Sequence, residues 1–205
     1  MAIVTAPTTI EDSYRAQGIA PIAGVDEVGR GPLAGPVVAC AVILPHGLVI
    51  EGVNDSKKIS EKRREELAAA IKAQALAYAF GIIDVEEIDE INILQASLLA
   101  MRVALEKLSI KPQLALIDGN KLPPNLFCTA QAVTQGDSKS HLIAAASILA
   151  KVKRDRIMRA LHEEYPQYGF DKHKGYPTVA HRAAVREHGQ TIHHRKSFNI
   201  KEALT

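Results

Sequence analysis

Tryptophan is absent from this 205-residue sequence, and aromatic residues make up only 4% of it. An extensive platform for stacking single-stranded bases is therefore not expected, because such platforms depend on aromatic side chains. Only two cysteines occur, Cys40 and Cys128, and they form no CxxC pair. Neither a disulfide-rich scaffold nor a zinc–thiolate site is expected, and this cysteine content fits a reducing, cytoplasmic compartment.

Long apolar segments are also missing. The longest uninterrupted apolar run covers residues 37–44, which is too short to cross a bilayer. The first twenty residues lack a basic start followed by an apolar stretch, so no secretory signal is expected. The composition is otherwise that of a globular protein, with 47% hydrophobic and 23% charged residues. We expect no membrane association and, because no additional apolar stripe is evident, a monomer.

The net charge of +2 is distributed unevenly along the chain. Residues 151–205 contain 12 Lys and Arg against 6 Asp and Glu, a net charge of +6, whereas residues 1–150 carry −4. A basic region beside an acidic body suits a protein that binds a polyanion with one part and cations with another. A solvated C-terminal helix would give the same pattern, so that alternative stays open.

Hydrophobic periodicity predicts an α/β fold in one main domain, residues 19–190, between a loose N-terminal leader at 1–18 and a basic C-terminal tail at 191–205. The first strands can pair as an antiparallel meander, whereas the later ones are joined by helices and should run parallel. A mixed β-sheet flanked by helices results. We predict strands at 22–28, 36–44, 76–83, 113–117 and 127–133, and helices at 60–74, from 92 onward, at 138–162 and at 178–187.

Acidic residues stand where predicted strands end. Asp26 and Glu27 end the first strand, Asp118 ends the fourth, and Asp137 opens the helix after the last. Charged groups are rarely buried unless they are paired or bind metal, and an all-oxygen ligand set favours Mg²⁺ or Mn²⁺ over zinc. The alternative is that these residues serve only as helix caps and turn residues.

Asp26 and Glu27 are neighbours, and successive side chains on a regular strand point to opposite faces of the sheet. Both could reach one cation only if the chain twists or bulges there. Gly24 and Gly29 would permit such a distortion, so we predict one at this point.

Five sequence blocks follow one another between Gly24 and Phe198: GVDEVGRGPLAGP at 24–36, NDSKK at 54–58, IDGN at 117–120, GDS at 136–138 with AAASILAKVKRD at 144–155, and YGF at 168–170 with HKGYPT at 173–178. In content and order these blocks resemble the ribonuclease HII family, the type 2 ribonucleases H. The resemblance covers nearly the whole chain, and we find no departure from it at the motif positions.

The resemblance implies a ribonuclease H-like domain with a helical C-terminal extension. It also implies an endoribonuclease that hydrolyses the RNA strand of RNA–DNA hybrids and nicks DNA 5′ of embedded ribonucleotides. Two divalent ions, Mn²⁺ or Mg²⁺, would leave 5′-phosphate and 3′-hydroxyl ends. By the same resemblance, the catalytic, metal-binding carboxylates are those of Asp26, Glu27, Asp118 and Asp137.

Asp155 competes with Asp137 for the fourth ligand position. It lies in the middle of a predicted helix among basic residues such as Lys151 and Arg156. That setting favours a local ion-pair network, so we assign the ligand position to Asp137.

Substrate contacts are predicted as well. The resemblance implies that Gly29, Arg30 and Gly31 contact the ribose 2′-hydroxyl together with Tyr176; without it, a tight turn and a core aromatic residue would explain these positions. Hydrogen-bond donors and cations for phosphates are available in Asn54, Ser56 and Lys57, near a helix N-terminus. The basic run at 193–197 could lie on the duplex or form a solvated tail. The rival functions are a non-catalytic nucleic-acid-binding module and another metal-dependent phosphohydrolase.

Overall fold

The computed structural model describes residues 4–198. None of the helices within that range is long and apolar enough to span a membrane. The strands are β1 (Ile22–Val28), β2 (Val37–Ile43), β3 (Ala77–Ile83), β4 (Leu114–Asp118) and β5 (Thr129–Val133), and the helices are α1 (Thr9–Arg15), α2 (Glu61–Gln74), α3 (Val85–Glu106), α4 (His141–Glu164), α5 (Phe170–His173) and α6 (Val179–His188).

The five strands form one mixed sheet in the order β3-β2-β1-β4-β5. Strands β1, β2 and β3 pair antiparallel, whereas β4 pairs parallel with β1 and with β5. The predicted fold class and connectivity are confirmed. Because β1 and β4 are parallel neighbours, with Val25 opposite Ile117, their carboxyl ends meet at the same edge of the sheet. The acidic residues that follow these two positions are thereby brought together.

Both faces of the sheet are buried under helices. Helices α2 and α4 cover one face, and α3 covers the other. Helix α4 lies so close to β1 that a Cβ atom at Gly24 would fall 2.2 Å from the carbonyl carbon of Leu142. The missing side chain at Gly24 permits this close approach, which sets α4 beside β1.

Helix α3 begins earlier than predicted, at Val85, with Asp84 accepting a hydrogen bond from the Val85 N–H. The predicted start at Asn92 corresponds to a kink, where the backbone φ is +67°. The Asn92 side chain accepts hydrogen bonds from the N–H groups of Leu94 and Gln95, so it caps the second half of the helix.

The N-terminal segment is not a loose leader where the structure describes it. Its helix α1 docks against α4, and Glu11 is completely buried. Glu11 Oε1 accepts hydrogen bonds from the Ser140 hydroxyl and from the Leu142 N–H, so this carboxylate caps α4 from outside the helix. Propensity and periodicity do not reveal such a long-range cap. Residues 1–3 lie outside the described range.

The C-terminal segment likewise packs into the body, as far as residue 198. Asp89 of α3 accepts hydrogen bonds from the N–H groups of Lys196 and Ser197, and Arg195 is completely buried. The alternative of a solvated tail is therefore wrong for residues 191–198. Backbone carbonyls, which sequence patterns cannot place, surround the Arg195 guanidinium and replace its water. The rest of the predicted tail, residues 199–205, lies outside the described range.

Candidate active site

A cavity of about 310 Å³ opens where β1 and β4 end. It lies between the sheet edge, the loop after β1, the 3₁₀ turn at Ser56–Lys58 before α2, and α4. Acidic, basic, hydroxyl and glycine residues dominate its wall, which is formed by Asp26, Glu27, Val28, Gly29, Arg30, Gly31, Ser56, Lys57, Asp118, Asp137, Ser147, Lys151 and Tyr176.

The structure brings the four predicted carboxylates into this one cavity from three separate parts of the chain. Asp26 and Glu27 lie near the end of β1, and Asp118 is the last residue of β4. Asp137 lies in a 3₁₀ turn at Gly136–Ser138, before α4 rather than inside it. The Gly136 N–H donates to Asp118 Oδ1 at 2.7 Å, which ties this turn to the end of β4.

The bulge predicted at Asp26 and Glu27 is wrong. Residues Gly24 to Val28 pair with β2 in unbroken register, and Gly24 serves helix packing instead of a bulge. Glu27 borders the cavity from the other side of the sheet and also lines a neighbouring cavity of about 320 Å³ beneath α3. Glu27 lies near the end of β1, and its side chain is longer than that of an aspartate. It therefore borders the cavity without any distortion of the strand.

Burial and mutual repulsion make these carboxylates harder to ionise. The pKa of Asp26 is raised well above its ordinary value by burial and by the charges of Glu27 and Asp118. Burial also raises the pKa of Glu27, against the opposing charge of Arg30, and the pKa of Asp137, which faces Asp55 and Asp118. Divalent cations would relieve both costs, because they replace the lost hydration and neutralise the repulsion.

The chemistry of the donors fits a hard divalent cation, since the acidic ligands offer only oxygen. As the side chains stand, however, no three His, Cys, Asp or Glu residues within 4–198 converge to hold a metal ion. The carboxylates have local partners instead: Asp26 Oδ1 accepts from the Glu27 N–H, and Glu27 Oε1 lies 3.6 Å from Arg30 Nη1. Side-chain rotation would be needed for the oxygens to meet at one cation.

Three wall residues, Val28, Ser147 and Lys151, were not among the predicted site residues. Ser147 and Lys151 are one helical turn apart on α4, and both face the cavity. The Ser147 hydroxyl is 3.0 Å from the Ser56 hydroxyl. Hydrogen bonding by Ser147 lowers the pKa of Asp26, but burial raises that pKa by more. The i, i+4 spacing within the AAASILAKVKRD block was the available signal.

Asn54 is the one predicted site residue that does not line the cavity. Its amide donates to the Val4 carbonyl, and its side-chain oxygen accepts from the Asp55 N–H. The Asn54 side chain therefore shapes its own loop. Lys57, three residues further on, does line the cavity.

Asp155 belongs to an ion-pair network away from the cavity wall. Its carboxylate lies 2.6 Å from Lys151 Nζ and 3.8 Å from Arg64 Nη2, with only 3% of the side chain exposed. Burial lowers the pKa of Lys151, whereas the charge of Asp155 raises it. Asp155 thus holds the lysine at the back of the cavity.

The loop after β1 brings backbone close to a tyrosine ring. Gly29 has a φ of +98°, and Arg154 fills the space in which a Cβ atom would lie. A Cβ atom at Gly31 would come within 3.6 Å of Tyr176 Cε1, so this glycine and the ring face each other across the cavity mouth. Tyr176 is 41% exposed, which argues against the core role that the sequence left open.

A buried histidine pair holds the segment that carries Tyr176. His181 Nδ1 donates to the Tyr176 carbonyl, and the Nε2 atoms of His181 and His194 are 3.1 Å apart. His194 Nδ1 accepts from the Thr191 N–H, so His194 Nε2 carries the proton shared with His181. This arrangement requires both rings to be neutral.

We expect the protein to lose stability in mild acid because of this pair. Burial lowers the pKa of His181 and of His194 to about 4, whereas an unfolded histidine titrates near 6.5. The unfolded state therefore binds more protons, and the stabilisation present above pH 6.5 is lost as the pH falls towards 4. Urea unfolding at pH 6.5 and 5 should show a loss of about 2–3 kcal/mol from the two groups.

The His194→Asn variant is the control for this titration. It removes one titrating ring, so the loss of stability between pH 6.5 and 5 should be about half as steep. An unchanged slope in this variant would assign the acid sensitivity to other groups.

Three comparisons with known proteins agree with the sequence blocks. The family model described as Ribonuclease HII matches residues 23–201. A Ribonuclease HII of Marinomonas sp. is 57% identical over 184 residues, which cover 89% of this chain and 92% of that relative. The ribonuclease H2 of Pyrococcus horikoshii has the same fold, with a TM-score of 0.72 and 28% identity over 89% of this chain and 96% of that one.

A more distant structure, Bst-RNase HIII in complex with Mn²⁺, shares the fold with a TM-score of 0.67 and 19% identity, over 89% of this chain and 68% of that one. The family match spans all five sequence blocks and every wall residue of the cavity. This chain belongs to the ribonuclease HII family.

Proposed function

We propose that this protein is an endoribonuclease that hydrolyses the RNA strand of RNA–DNA hybrids and nicks duplex DNA 5′ of embedded ribonucleotides. The observation that carries the proposal is the meeting of four carboxylates, from β1, β4 and the 136–138 turn, in one cavity beside the Gly29-Arg30-Gly31 turn. Membership of the ribonuclease HII family supports this activity.

We assign the divalent cations, Mn²⁺ or Mg²⁺, to the oxygens of Asp26, Glu27, Asp118 and Asp137. When bound, such ions lower the pKa of a water molecule and neutralise charge on the phosphodiester. The carboxylates would have to be ionised to bind them, so their raised pKa values favour binding at neutral over acidic pH. The Mn²⁺ complex of the more distant relative is consistent with this class of ion.

The cationic side chains of the cavity are placed to hold the substrate's phosphates. Arg30, Lys57 and Lys151 line the cavity from three different parts of the chain, and Ser56 adds a hydroxyl. In our proposal these groups position the scissile strand and offset its charge. Phosphate contacts of this kind fix register and orientation without reading base sequence.

Recognition of the ribose is assigned to the turn and the tyrosine that face each other at the cavity mouth. The 2′-hydroxyl is both a donor and an acceptor, and it is the group that distinguishes RNA from DNA. Backbone groups of Gly29, Arg30 and Gly31 can approach a sugar closely because two of these residues lack a side chain. The exposed ring of Tyr176 offers a flat surface against the same sugar.

The test is a labelled DNA duplex that contains one ribonucleotide, incubated with the protein and Mg²⁺ or Mn²⁺. We expect a single nick 5′ of the ribonucleotide, with a 3′-hydroxyl that a polymerase can extend and a 5′-phosphate. Binding of the hybrid without any cut would support the non-catalytic module instead. Cutting of all-DNA duplexes would support another phosphohydrolase.

Tyr176→Ala and Asp155→Ala should separate substrate recognition from structural support. Removing the exposed Tyr176 ring should lower cleavage of the single-ribonucleotide duplex by roughly 10-fold or more, which corresponds to about 1.4 kcal/mol, with little change in stability. Removing Asp155 leaves Lys151 and Arg64 without their buried partner, so stability should fall by about 3 kcal/mol while activity falls less. Steady-state kinetics and urea unfolding measure the two effects, and the reverse order of activities would overturn this choice of site.

The same cysteine content that favoured a reducing compartment supports a cytoplasmic location, and both cysteines are free in the structure. We further propose that the protein acts as a monomer. Light scattering during size-exclusion chromatography tests that proposal directly.

A further inference from the structure

Arg195 is completely buried behind the loop that follows β1. Its Nη2 atom donates to the Gly29 carbonyl at 2.6 Å, and its Nη1 atom donates to the Arg30 carbonyl at 3.0 Å. Its Nε and Nη2 atoms both donate to the Gly35 carbonyl. One guanidinium therefore binds the backbone at both ends of the 29–35 loop.

These bonds determine which way the backbone N–H groups of the turn point. A trans peptide is planar, so the C=O of one residue and the N–H of the next point in opposite directions. Because the Gly29 and Arg30 carbonyls point inward to Arg195, the N–H groups of Arg30 and Gly31 point away from it. Both residues line the cavity, and Gly31 faces Tyr176 there.

The main chain of residues 194 and 195 is also bonded to the 29–35 loop. The Arg195 N–H donates to the Leu33 carbonyl, and His194 forms a β-bridge with Ala34. Within residues 4–198 no carboxylate lies within ion-pair distance of the Arg195 guanidinium. Its hydrogen-bond partners are carbonyl oxygens, and the guanidinium carbon lies 4.9 Å from the centre of the Phe198 ring. A buried charge without a counter-ion is costly, and a neutral apolar side chain would fill the space without that cost. An arginine at this position is therefore explained by the four hydrogen bonds that its guanidinium donates to the carbonyls of Gly29, Arg30 and Gly35.

We propose that Arg195 is a positioning residue, which sets the Gly29-Arg30-Gly31 turn so that the N–H groups of Arg30 and Gly31 face the ribose. This inference rests on the proposed function, and it deepens that function by assigning the geometry of ribose recognition to the C-terminal segment. Arg195 itself touches neither the substrate nor the cations. It acts through the two peptide groups whose carbonyls it binds.

Arg195→Lys is the main test variant, because it keeps the positive charge but cannot bind three carbonyls in a fixed fork. We expect kcat on the single-ribonucleotide duplex to fall at least tenfold, while KM, which the phosphate contacts dominate, stays within about threefold. Arg195→Gln, which loses the charge and most of the donors, should lose more. A kcat that falls in the order wild type, Arg195→Lys, Arg195→Gln would follow the loss of hydrogen bonds from the guanidinium to the turn.

Leu105→Ala is the matched control for loss of stability. Leu105 is completely buried under the sheet on α3 and lines none of the cavities described here. Assayed well below both melting temperatures, Leu105→Ala should keep kcat within twofold even when its melting temperature falls as far as that of Arg195→Lys. Equal losses of kcat in the two variants would reduce Arg195 to a structural role and contradict the proposal.

Hydrogen–deuterium exchange separates this inference from the proposed function, since it requires no cleavage. The Leu33 N–H donates to the Gly175 carbonyl and the Gly35 N–H to the His193 carbonyl. In Arg195→Gln, the amides of peptides that cover residues 29–36 should exchange at least tenfold faster than in the wild-type protein. In Leu105→Ala, exchange in these peptides should rise no more than exchange in the rest of the chain. Unaltered exchange there would overturn the positioning role, whether or not the wild-type protein cuts the duplex.

Discussion

Asp26→Asn and Asp118→Asn should each abolish cleavage of the single-ribonucleotide duplex, by at least ~10³-fold in kcat, which corresponds to about 4 kcal/mol of transition-state stabilisation. Each substitution keeps the shape of the side chain but removes a charged oxygen ligand. Because these carboxylates act in our proposal by holding cations, no other group in the cavity can replace the lost ligand. Binding of the hybrid should survive, since the cationic side chains that contact phosphates are unchanged.

Asp26→Asn should also change the stability of the protein. The raised pKa of Asp26 means that the folded state binds its proton more tightly than the unfolded state does, so ionised Asp26 costs stability at neutral pH. Asp26→Asn removes that cost and should raise the melting temperature in the absence of metal. A substitution that stabilises the protein while it abolishes activity indicates that the native residue is kept for function at a cost in stability.

Glu11→Gln is the matched control for these substitutions. Glu11 is also a completely buried carboxylate, but it caps α4 and does not line the cavity. Glu11→Gln should keep kcat within about twofold, although its melting temperature should fall. Rapid cleavage by both Asp26→Asn and Asp118→Asn would remove these residues from the mechanism.

An all-DNA duplex should remain intact under conditions in which the single-ribonucleotide duplex is fully cut. A site that is built to hydrogen-bond one hydroxyl can reject the analogue that lacks it by roughly 10⁴-fold, because its polar groups are then left unpaired. In this protein those groups are the backbone of the Gly29-Arg30-Gly31 turn, which faces Tyr176 at the cavity mouth.

Three duplexes that differ at a single sugar make this measurement direct. The ribonucleotide should be cut, whereas the deoxyribonucleotide and the 2′-O-methyl nucleotide at the same position should not. Gly31→Ala should lower cleavage of the ribonucleotide duplex, because its Cβ atom would lie 3.6 Å from Tyr176 Cε1 and leave no room for a sugar between the turn and the ring. Efficient cutting of the deoxyribonucleotide duplex would show that the turn and the tyrosine do not select the sugar.

Local sequence features predicted the framework of the site correctly. The apolar runs that became β1 and β4 each end at an acidic residue, and parallel pairing of these strands brings the acids to one edge. Such elements are predictable because burial on both faces of a sheet imposes continuous apolar sequence. The predicted helices at 60–74 and 178–187 are confirmed as well, and the hydroxyls of Ser60 and Thr178 each accept a hydrogen bond from the N–H three residues further on.

Long-range polar contacts are the part that the sequence could not supply. Glu11 caps a helix that begins 130 residues later, and Arg195 binds carbonyls of a loop 160 or more residues earlier. In a sequence both residues look like ordinary surface charges, because nothing local distinguishes a charge in water from one surrounded by backbone groups. The distortion predicted at Asp26 and Glu27 was wrong for a similar reason. Where a sheet ends, and which side chains can reach past its edge, depends on how the strands assemble and not on the local sequence.

Cleavage of the single-ribonucleotide duplex with and without divalent cations tests most directly whether the four carboxylates form a metal centre. The protein is first freed of metal with a chelator, and Mg²⁺ or Mn²⁺ is then added back in known amounts. We expect no nick in the chelator and full recovery with either ion, and Asp26→Asn should not recover at the concentrations that saturate the wild-type protein. Cleavage that persists in the chelator at the wild-type rate would contradict the account.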